Sequence, residues 1–223
     1  MSGSPFVQRK AIEQYNKSIL SSNKDYPSLE LVRLEKIFFQ KPRGKLLEYG
    51  FGSGCNTLHL LKKKYNVVAL DVAKNAIIKF KKKNKKYKKI SFVLLDPKLK
   101  KLPFKSKTFD FIVAMSVLSL LGTKKRIVSL LKEFDRILKL NGKLILDINT
   151  NSSNVSSKKI IKKKNSYTYV VDNYIQTFCI NSKFQFEKLV KPFFNIVDTG
   201  YSKHKLFNSR ISEYIICCEK KKL

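Results

Sequence analysis

The stretch Lys45-Leu46-Leu47-Glu48-Tyr49-Gly50-Phe51-Gly52-Ser53-Gly54-Cys55-Asn56 decides the fold. An apolar run ends on an acid, glycines follow at alternate positions, and a helical pattern starts. Further on, a second apolar run, Val67-Val68-Ala69-Leu70, ends on Asp71. Strand, glycine turn, helix, strand and acid make up the mononucleotide-binding half of a doubly wound α/β fold.

Downstream, the alternation of strand and helix continues. Residues 90–95 read as a third strand ending at Asp96-Pro97, and Phe109-Asp110-Phe111-Ile112-Val113-Ala114 as a fourth, apolar enough to be buried on both faces. Thr123 can cap a helix whose apolar positions are Ile127, Leu130, Leu131, Phe134, Ile137 and Leu138, with a stop at Asn141-Gly142. Residues 143–148 are a fifth strand. This pattern predicts a parallel sheet with right-handed crossovers. Upstream, a helix is expected over 7–20, and a second one, capped by Ser28, carries Leu31, Val32, Leu34, Ile37 and Phe38. After the fifth strand the pattern changes. Residues 149–165 read as a mobile polar loop, 166–180 have strand character, and Ser182 with Gln185 forms a capping box for a helix over 183–190. Residues 194–199 and 211–218 are expected to form an antiparallel hairpin joined by a loop through His204.

The bulk numbers bound the rest. A chain of 223 residues with 43% apolar content suits one globular domain. No apolar stretch is long enough to span a bilayer, and the first residues lack a secretory pattern, so a cytoplasmic protein is expected, as a monomer or homodimer. The four cysteines include no C-x-x-C pair, so no metal site is expected, and reduced thiols are the plain reading. The net charge of +31 invites a nucleic-acid partner. Only six of the 47 basic residues are arginine, however, and tryptophan is absent, a profile that AT-rich codons also produce. A phosphate-reading surface more often recruits arginine. The run from Lys81 to Lys89 holds a single aromatic residue and reads as a solvated helix end.

The glycine turn narrows the ligand. Glycines at 50, 52 and 54 let backbone approach a ligand, and the following helix offers its N-terminus to negative charge. Asp71 can accept two hydrogen bonds from vicinal hydroxyls, and Asp96 can reach an exocyclic amine, which together suit an adenosine. The spacing is Gly-x-Gly-x-Gly, with Cys55 where a dinucleotide fingerprint would carry its last glycine, and Glu48 lies two residues ahead of the first glycine. That carboxylate repels a pyrophosphate and tolerates a cation, which favours an adenosine bearing a sulfonium and an amino acid. A P-loop is excluded, because no Gly-Lys-Ser/Thr follows.

These residues resemble motif I of the class I S-adenosylmethionine-dependent methyltransferases. Asp71 matches that family's ribose acid and Asp96 the acid beside the adenine. Leu102-Pro103-Phe104 with Phe109-Asp110 resembles its approach to the fourth strand, and 133–144 resembles its passage into the fifth. The resemblance is to the small-molecule subgroup, and it covers about residues 30–219. It implies a Rossmann-like seven-stranded sheet of order 3-2-1-4-5-7-6 with the last strand antiparallel and helices on both faces. It also implies S-adenosyl-L-methionine as cofactor, held by Glu48, Gly50, Gly52, Gly54, Asp71, Val72, Asp96, Pro97, Met115 and Ser116. One domain over 1–223 follows, with 1–27 as a helical lid and 149–181 as a substrate-side insertion.

The acceptor is less defined. No Asn/Asp-Pro-Pro-aromatic motif follows the fourth strand, where the chain reads Ala114-Met115-Ser116-Val117, and no Pro-Cys nucleophile exists. A small-molecule acceptor methylated on O, N or S remains, or an RNA enzyme acting elsewhere on the nucleotide. A silent adenosyl-binding relative is a third reading, which the intact glycines and acids oppose. Tyr15, Tyr167, Tyr169 and Tyr174 are candidates to line an acceptor pocket. His204, Asp147 and Tyr15 are the candidate catalytic groups; His204 is equally an exposed hairpin residue, and Asp147 equally a strand end.

Overall fold

A computed structural model describes residues 9–22, 24–40, 43–87, 90–96, 98–150, 159–163, 166–171, 174–178, 180, 182–206 and 209–221. In order, the elements are α1 (Arg9–Ser21), α2 (Leu29–Leu34, extended by a wider helical turn Glu35–Phe39), β1 (Lys45–Tyr49), α3 (Cys55–Lys62), β2 (Asn66–Asp71), α4 (Lys74–Lys83), β3 (Ser91–Leu94) and β4 (Phe109–Ala114). There follow a short 3-10 turn (Leu118–Leu121), α5 (Lys124–Ile137), β5 (Leu138–Asn149), β6 (Lys159–Lys163), β7 (Ser166–Val171), β8 (Tyr174–Phe178), α6 (Lys183–Val190), β9 (Phe194–Leu206) and β10 (Ser209–Lys220).

Seven strands form one sheet in the order β3-β2-β1-β4-β5-β10-β9. The first five run parallel, and β10 is antiparallel to both its neighbours. This is the expected order, with β10 as the reversed last strand. The apolar runs are continuous because both faces are covered. On one face Leu47, Val68, Ile112, Leu144 and Ile216 meet Leu130, Leu131 and Phe134 of α5 and Phe186 of α6. On the other, Leu46, Val67, Val113, Ile145 and Ile215 meet Leu31, Phe38 and Leu60. Alternate residues of one strand therefore feed two cores. The caps hold as expected: the backbone N–H groups of Leu31, Arg126 and Gln185 donate to the hydroxyls of Ser28, Thr123 and Ser182.

Three readings need correction. The helix expected to stop at Asn141-Gly142 ends at Ile137, because Leu138 turns extended (ψ 136°) and pairs with Phe109. The chain then bulges through Asn141 (φ 60°), and Gly142 passes so close to the preceding turn that a Cβ would lie 2.8 Å from the Lys139 carbonyl oxygen. The expected loop over 149–165 contains β6; residues 151–158 lie outside the described part. β6, β7 and β8 build a separate antiparallel sheet of three strands. Finally, β9 runs to Leu206, so His204 sits within a strand, opposite Ile211, rather than in the hairpin loop.

Two motifs distant in sequence meet in one clamp. Arg136 donates to the carbonyl oxygens of Leu102 (3.0 Å) and Phe104 (2.7 Å) and to both oxygens of Glu133. Glu133 in turn accepts the Leu102 N–H at 2.7 Å. The loop before β4 is thereby fixed to α5, and a bidentate pair suits this task because the guanidinium fork matches the carboxylate. Arg136→Met would leave the buried Glu133 without its counter-charge and two carbonyls without their donor. Urea unfolding is expected to show a loss of about 3 kcal/mol; a change below about 0.5 kcal/mol, the size of an ordinary surface substitution, would refute the clamp.

Candidate functional site at the carboxyl ends of the strands

The winding reverses between β1 and β4, and in open α/β sheets ligands sit outside the strand ends at that point. The glycine turn occupies it. Gly50 N–H donates to the Leu70 carbonyl at 2.7 Å and Gly54 N–H to that of Phe51 at 2.9 Å. Gly54 has φ 81°, and a Cβ there would lie 2.2 Å from the Phe80 ring, so only glycine fits. Gly52 has φ 56°, and its would-be Cβ lies 2.7 Å from the Tyr15 hydroxyl oxygen. Helix α1 thus lays Tyr15 across the turn.

Asp71 ties the turn to β2. Its Oδ2 accepts Gly52 N–H and its Oδ1 accepts Ala73 N–H, both at 2.9 Å, and the residue is 2% exposed. Burial pushes its pKa up; the N–H bonds of Gly52, Ala73 and Val72 pull it back without cancelling that effect. Each oxygen keeps a further lone pair for a ligand hydroxyl. Glu48, one strand away on β1, is buried as well. Thr57 Oγ1 donates to its Oε2. Burial raises its pKa to about 8, against the lowering effects of that hydrogen bond and of Lys24, while Asp71 adds to the rise.

The other described residues expected to hold the cofactor follow the ends of β2, β3 and β4. Val72 is half-buried beside Asp71. Asp96 is exposed just beyond the end of β3 and accepts the Lys98 N–H at 2.8 Å. Pro97 lies outside the described residues. Ser116 is exposed with φ 58°. Met115 is buried among Leu31, Phe38 and Val113, so its side chain belongs to the core.

Of the candidate catalytic groups, Asp147 stands at the end of β5, 1% exposed, and its Oδ1 accepts Ser116 N–H at 2.6 Å. His204 is exposed on β9. Tyr167, Tyr169 and Tyr174 lie on β7 and β8; their side chains are outside the described part. β8 packs against α1 and against the 3-10 turn after β4. Among the described residues, Cys55, Cys217 and Cys218 are free thiols, and no group of three His, Cys, Asp or Glu could hold a metal. No described helix is long and apolar enough to cross a membrane.

Glu213 and Asn149 are part of this end of the sheet and were not singled out from the sequence. They face each other across β10 and β5. The available signal was Glu213 itself, an acid inside the apolar run Ile211–Cys218 at the parity that Ile215 and Cys217 give to the core.

Residues 47–146 match a family model described as a methyltransferase domain. An uncharacterized protein of Methanocaldococcus jannaschii is 33% identical over 117 residues, which is 52% of this chain and 46% of that protein. The chain thus matches about half the length of this curated relative. Among solved structures, a protein of Pyrococcus horikoshii superposes with a TM-score of 0.68 at 21% identity, covering 97% of this chain and 96% of that one. The N-methyltransferase NodS of Bradyrhizobium japonicum, crystallised with S-adenosyl-L-homocysteine, gives 0.66 at 15% identity over 96% and 100%. The 1,6-didemethyltoxoflavin-N1-methyltransferase of Burkholderia thailandensis gives 0.65 at 12% identity over 94% and 85%. The strand order and these likenesses identify the fold as that of class I methyltransferases, as the motifs imply.

Glu48 makes the site sensitive to pH. Its carboxyl holds a proton in the folded protein up to about pH 8, whereas 4.5 is its ordinary value. The stability it contributes is therefore full below pH 4.5 and is lost as pH rises through 8. Asp71, Asp147 and Glu213 shift in the same direction, so a comparison of variants isolates the effect. Between those limits, the unfolding free energy of the wild type should fall relative to Glu48→Gln by up to about 1.4 kcal/mol per pH unit. Parallel stability curves from urea titrations would contradict the assignment.

Proposed function

We propose that the chain is an S-adenosylmethionine-dependent methyltransferase that transfers a methyl group to an O, N or S atom of a small molecule. The observation that carries this is the glycine turn at the switch point, tied to β2 by Asp71 and backed by the buried Glu48. Asp71 and Val72 would hold the ribose side, Asp96 and Pro97 the adenine side, and Gly50, Gly52, Gly54, Met115 and Ser116 the amino-acid side through backbone groups. Glu48 in its ionised form complements a ligand with positive charge; its high pKa shows what burial without such a partner costs. When bound, the cofactor supplies an activated methyl group on a sulfonium with a good neutral leaving group. The protein's task is then alignment and exclusion of water.

Helix α1 serves the second task in this reading. It is clipped to α4 by two bonds between Asn16 and Asn75, each 2.9 Å, and by Lys79, whose ammonium donates to the carbonyls of Ile19, Leu20 and Ser22. As the lid over Gly52 it must open for the ligand to enter. The sheet of β6–β8 meets α1 through β8 and is the acceptor side in this reading.

Charge distribution favours a small acceptor over RNA. The buried acids Glu48, Asp71, Asp147 and Glu213 all stand at one end of the sheet. A basic recess of about 420 Å³, lined by Lys36, Arg43, Lys62, Lys63 and Lys64, lies at the opposite end, where β1 and β2 begin. A phosphate backbone drawn to that recess would lie away from the glycine turn.

Calorimetry with S-adenosylmethionine and S-adenosylhomocysteine tests this directly: both should bind one per chain. Asp71→Ala should weaken both by more than about tenfold, beyond 1.4 kcal/mol. Unchanged affinity would remove Asp71 from the ribose site. Binding without transfer of labelled methyl to any member of a broad acceptor panel would favour the silent binding protein instead.

A further inference from the structure

Beyond β4 the sheet edge carries polar groups that the methyl-donor site does not use. Asp147 and Asn149 project from one face of β5, being two residues apart. Glu213 of β10 stands directly opposite Asn149, hence on the same face. Asp147 is 1% exposed and Glu213 6%. Ser116 N–H satisfies Asp147 Oδ1, but Asp147 Oδ2 and Asn149 Oδ1 are both buried with no hydrogen-bond donor. The Glu213 carboxyl lies within hydrogen-bonding reach of Asp147, where the two compete for one proton, and burial raises the pKa of both. Lys24 lends positive charge from a distance and forms no ion pair with either acid.

Two oxygens of this set, Asp147 Oδ2 and Asn149 Oδ1, thus lack a donor, and neither acid has an ion-pair partner among the described residues. The complement of the set is a group with several N–H donors and one positive charge, which is an ammonium ion. The location agrees. Asp147 stands at the same carboxyl ends of the strands as the residues that would hold the methyl donor. Strands lie about 5 Å apart, which puts Asp147 roughly 10 Å from the end of β1. Ser116, whose backbone is part of the donor site, is the residue that Asp147 holds.

We propose that Asp147, Asn149 and Glu213 form the acceptor subsite and that the acceptor is an amine, entering as its ammonium ion, which makes the reaction an N-methylation. This rests on the methyl-donor reading above. The ammonium passes one proton to the carboxylate pair and becomes a neutral amine with a free lone pair. That lone pair forms the carbon–nitrogen bond as the methyl–sulfur bond breaks, and the bonding electrons stay on sulfur, which becomes neutral. The product leaves as an N-methylammonium ion, and the pair returns its proton to solvent. Asn149 Oδ1 accepts an N–H throughout and orients the nitrogen.

The full chain and its Glu213→Gln and Asp147→Asn variants are first titrated with S-adenosylhomocysteine, then, as that complex, with n-butylamine and with n-butanol by ligand-observed NMR at neutral pH. Both substitutions remove one ionisable carboxyl at constant shape, and Asn at 147 keeps an acceptor for Ser116; if one variant fails to fold by circular dichroism, the other carries the comparison. Wild type should bind the amine about tenfold more tightly than the alcohol, and the preference should fall below about threefold in the variants. Homocysteine-adduct binding with no preference for the amine, or a preference that survives the substitutions, overturns the amine subsite alone. Failure of wild type to bind S-adenosylhomocysteine overturns the methyl-donor reading and this proposal with it.

Discussion

One carboxylate holds the cleft together. The two oxygens of Asp71 accept the N–H groups of Gly52 and Ala73, which belong to the glycine turn and to the start of α4. Without it, two buried donors would face apolar surroundings, at about 1–3 kcal/mol each. The turn itself has no side-chain cap, because Gly54, in a left-handed conformation, stands where a capping residue would. Its shape depends on contacts across the turn: Phe80 against Gly54, Val117 against Gly50 and Tyr15 against Gly52. Those partners come from α4, from the segment after β4 and from α1. The order of β2, β1 and β4 in the sheet is thus a requirement of the turn as well as a consequence of hydrophobic burial.

A second clamp works by the same logic on the other side of β4. Glu133 and Arg136 are one helical turn apart, so their side chains lie together and reach the loop around Leu102. This explains why two stretches that look like separate signatures in the sequence, one before β4 and one on α5, belong together. Asp110 adds to the arrangement: it accepts Lys45 N–H at the start of β1 and pairs with Lys139 at 2.9 Å. The start of β4 is thereby registered against β1 and the start of β5.

Much of this was legible in the chain. Strands β1, β2 and β4 and the three side-chain caps follow from local pattern, since each is decided by residues adjacent in sequence. Misreadings occur where a distant partner decides. Leu138, Lys139 and Leu140 continue a helical pattern, yet Leu138 leaves the helix because Phe109 offers a strand position. Residues 159–163 look like loop because they are lysine-rich, and become a strand because β7 supplies the hydrogen bonds. At the site, the glycines and the acid after β2 could be read, being fixed by spacing. The meeting of Asp147, Asn149 and Glu213 could not, because it depends on the register of β5 with β10.

Two groups among the described acids differ in how burial is compensated. Glu133, Asp110, Asp135 and Glu187 each have a lysine or arginine within ion-pair distance. Glu48, Asp71, Asp147 and Glu213 are more deeply placed, and burial raises the pKa of every one. A chain with 47 basic residues has no shortage of cations to place beside them. Lys24 comes within electrostatic reach of Glu48, Asp147 and Glu213, yet it pairs with none of them. Leaving buried carboxyls unpaired costs more than the pairs elsewhere in the molecule show to be necessary. Stability is sacrificed at the end of the sheet where the glycine turn and the lid converge, which is where a functional site is expected to break the rules that the rest of the fold obeys.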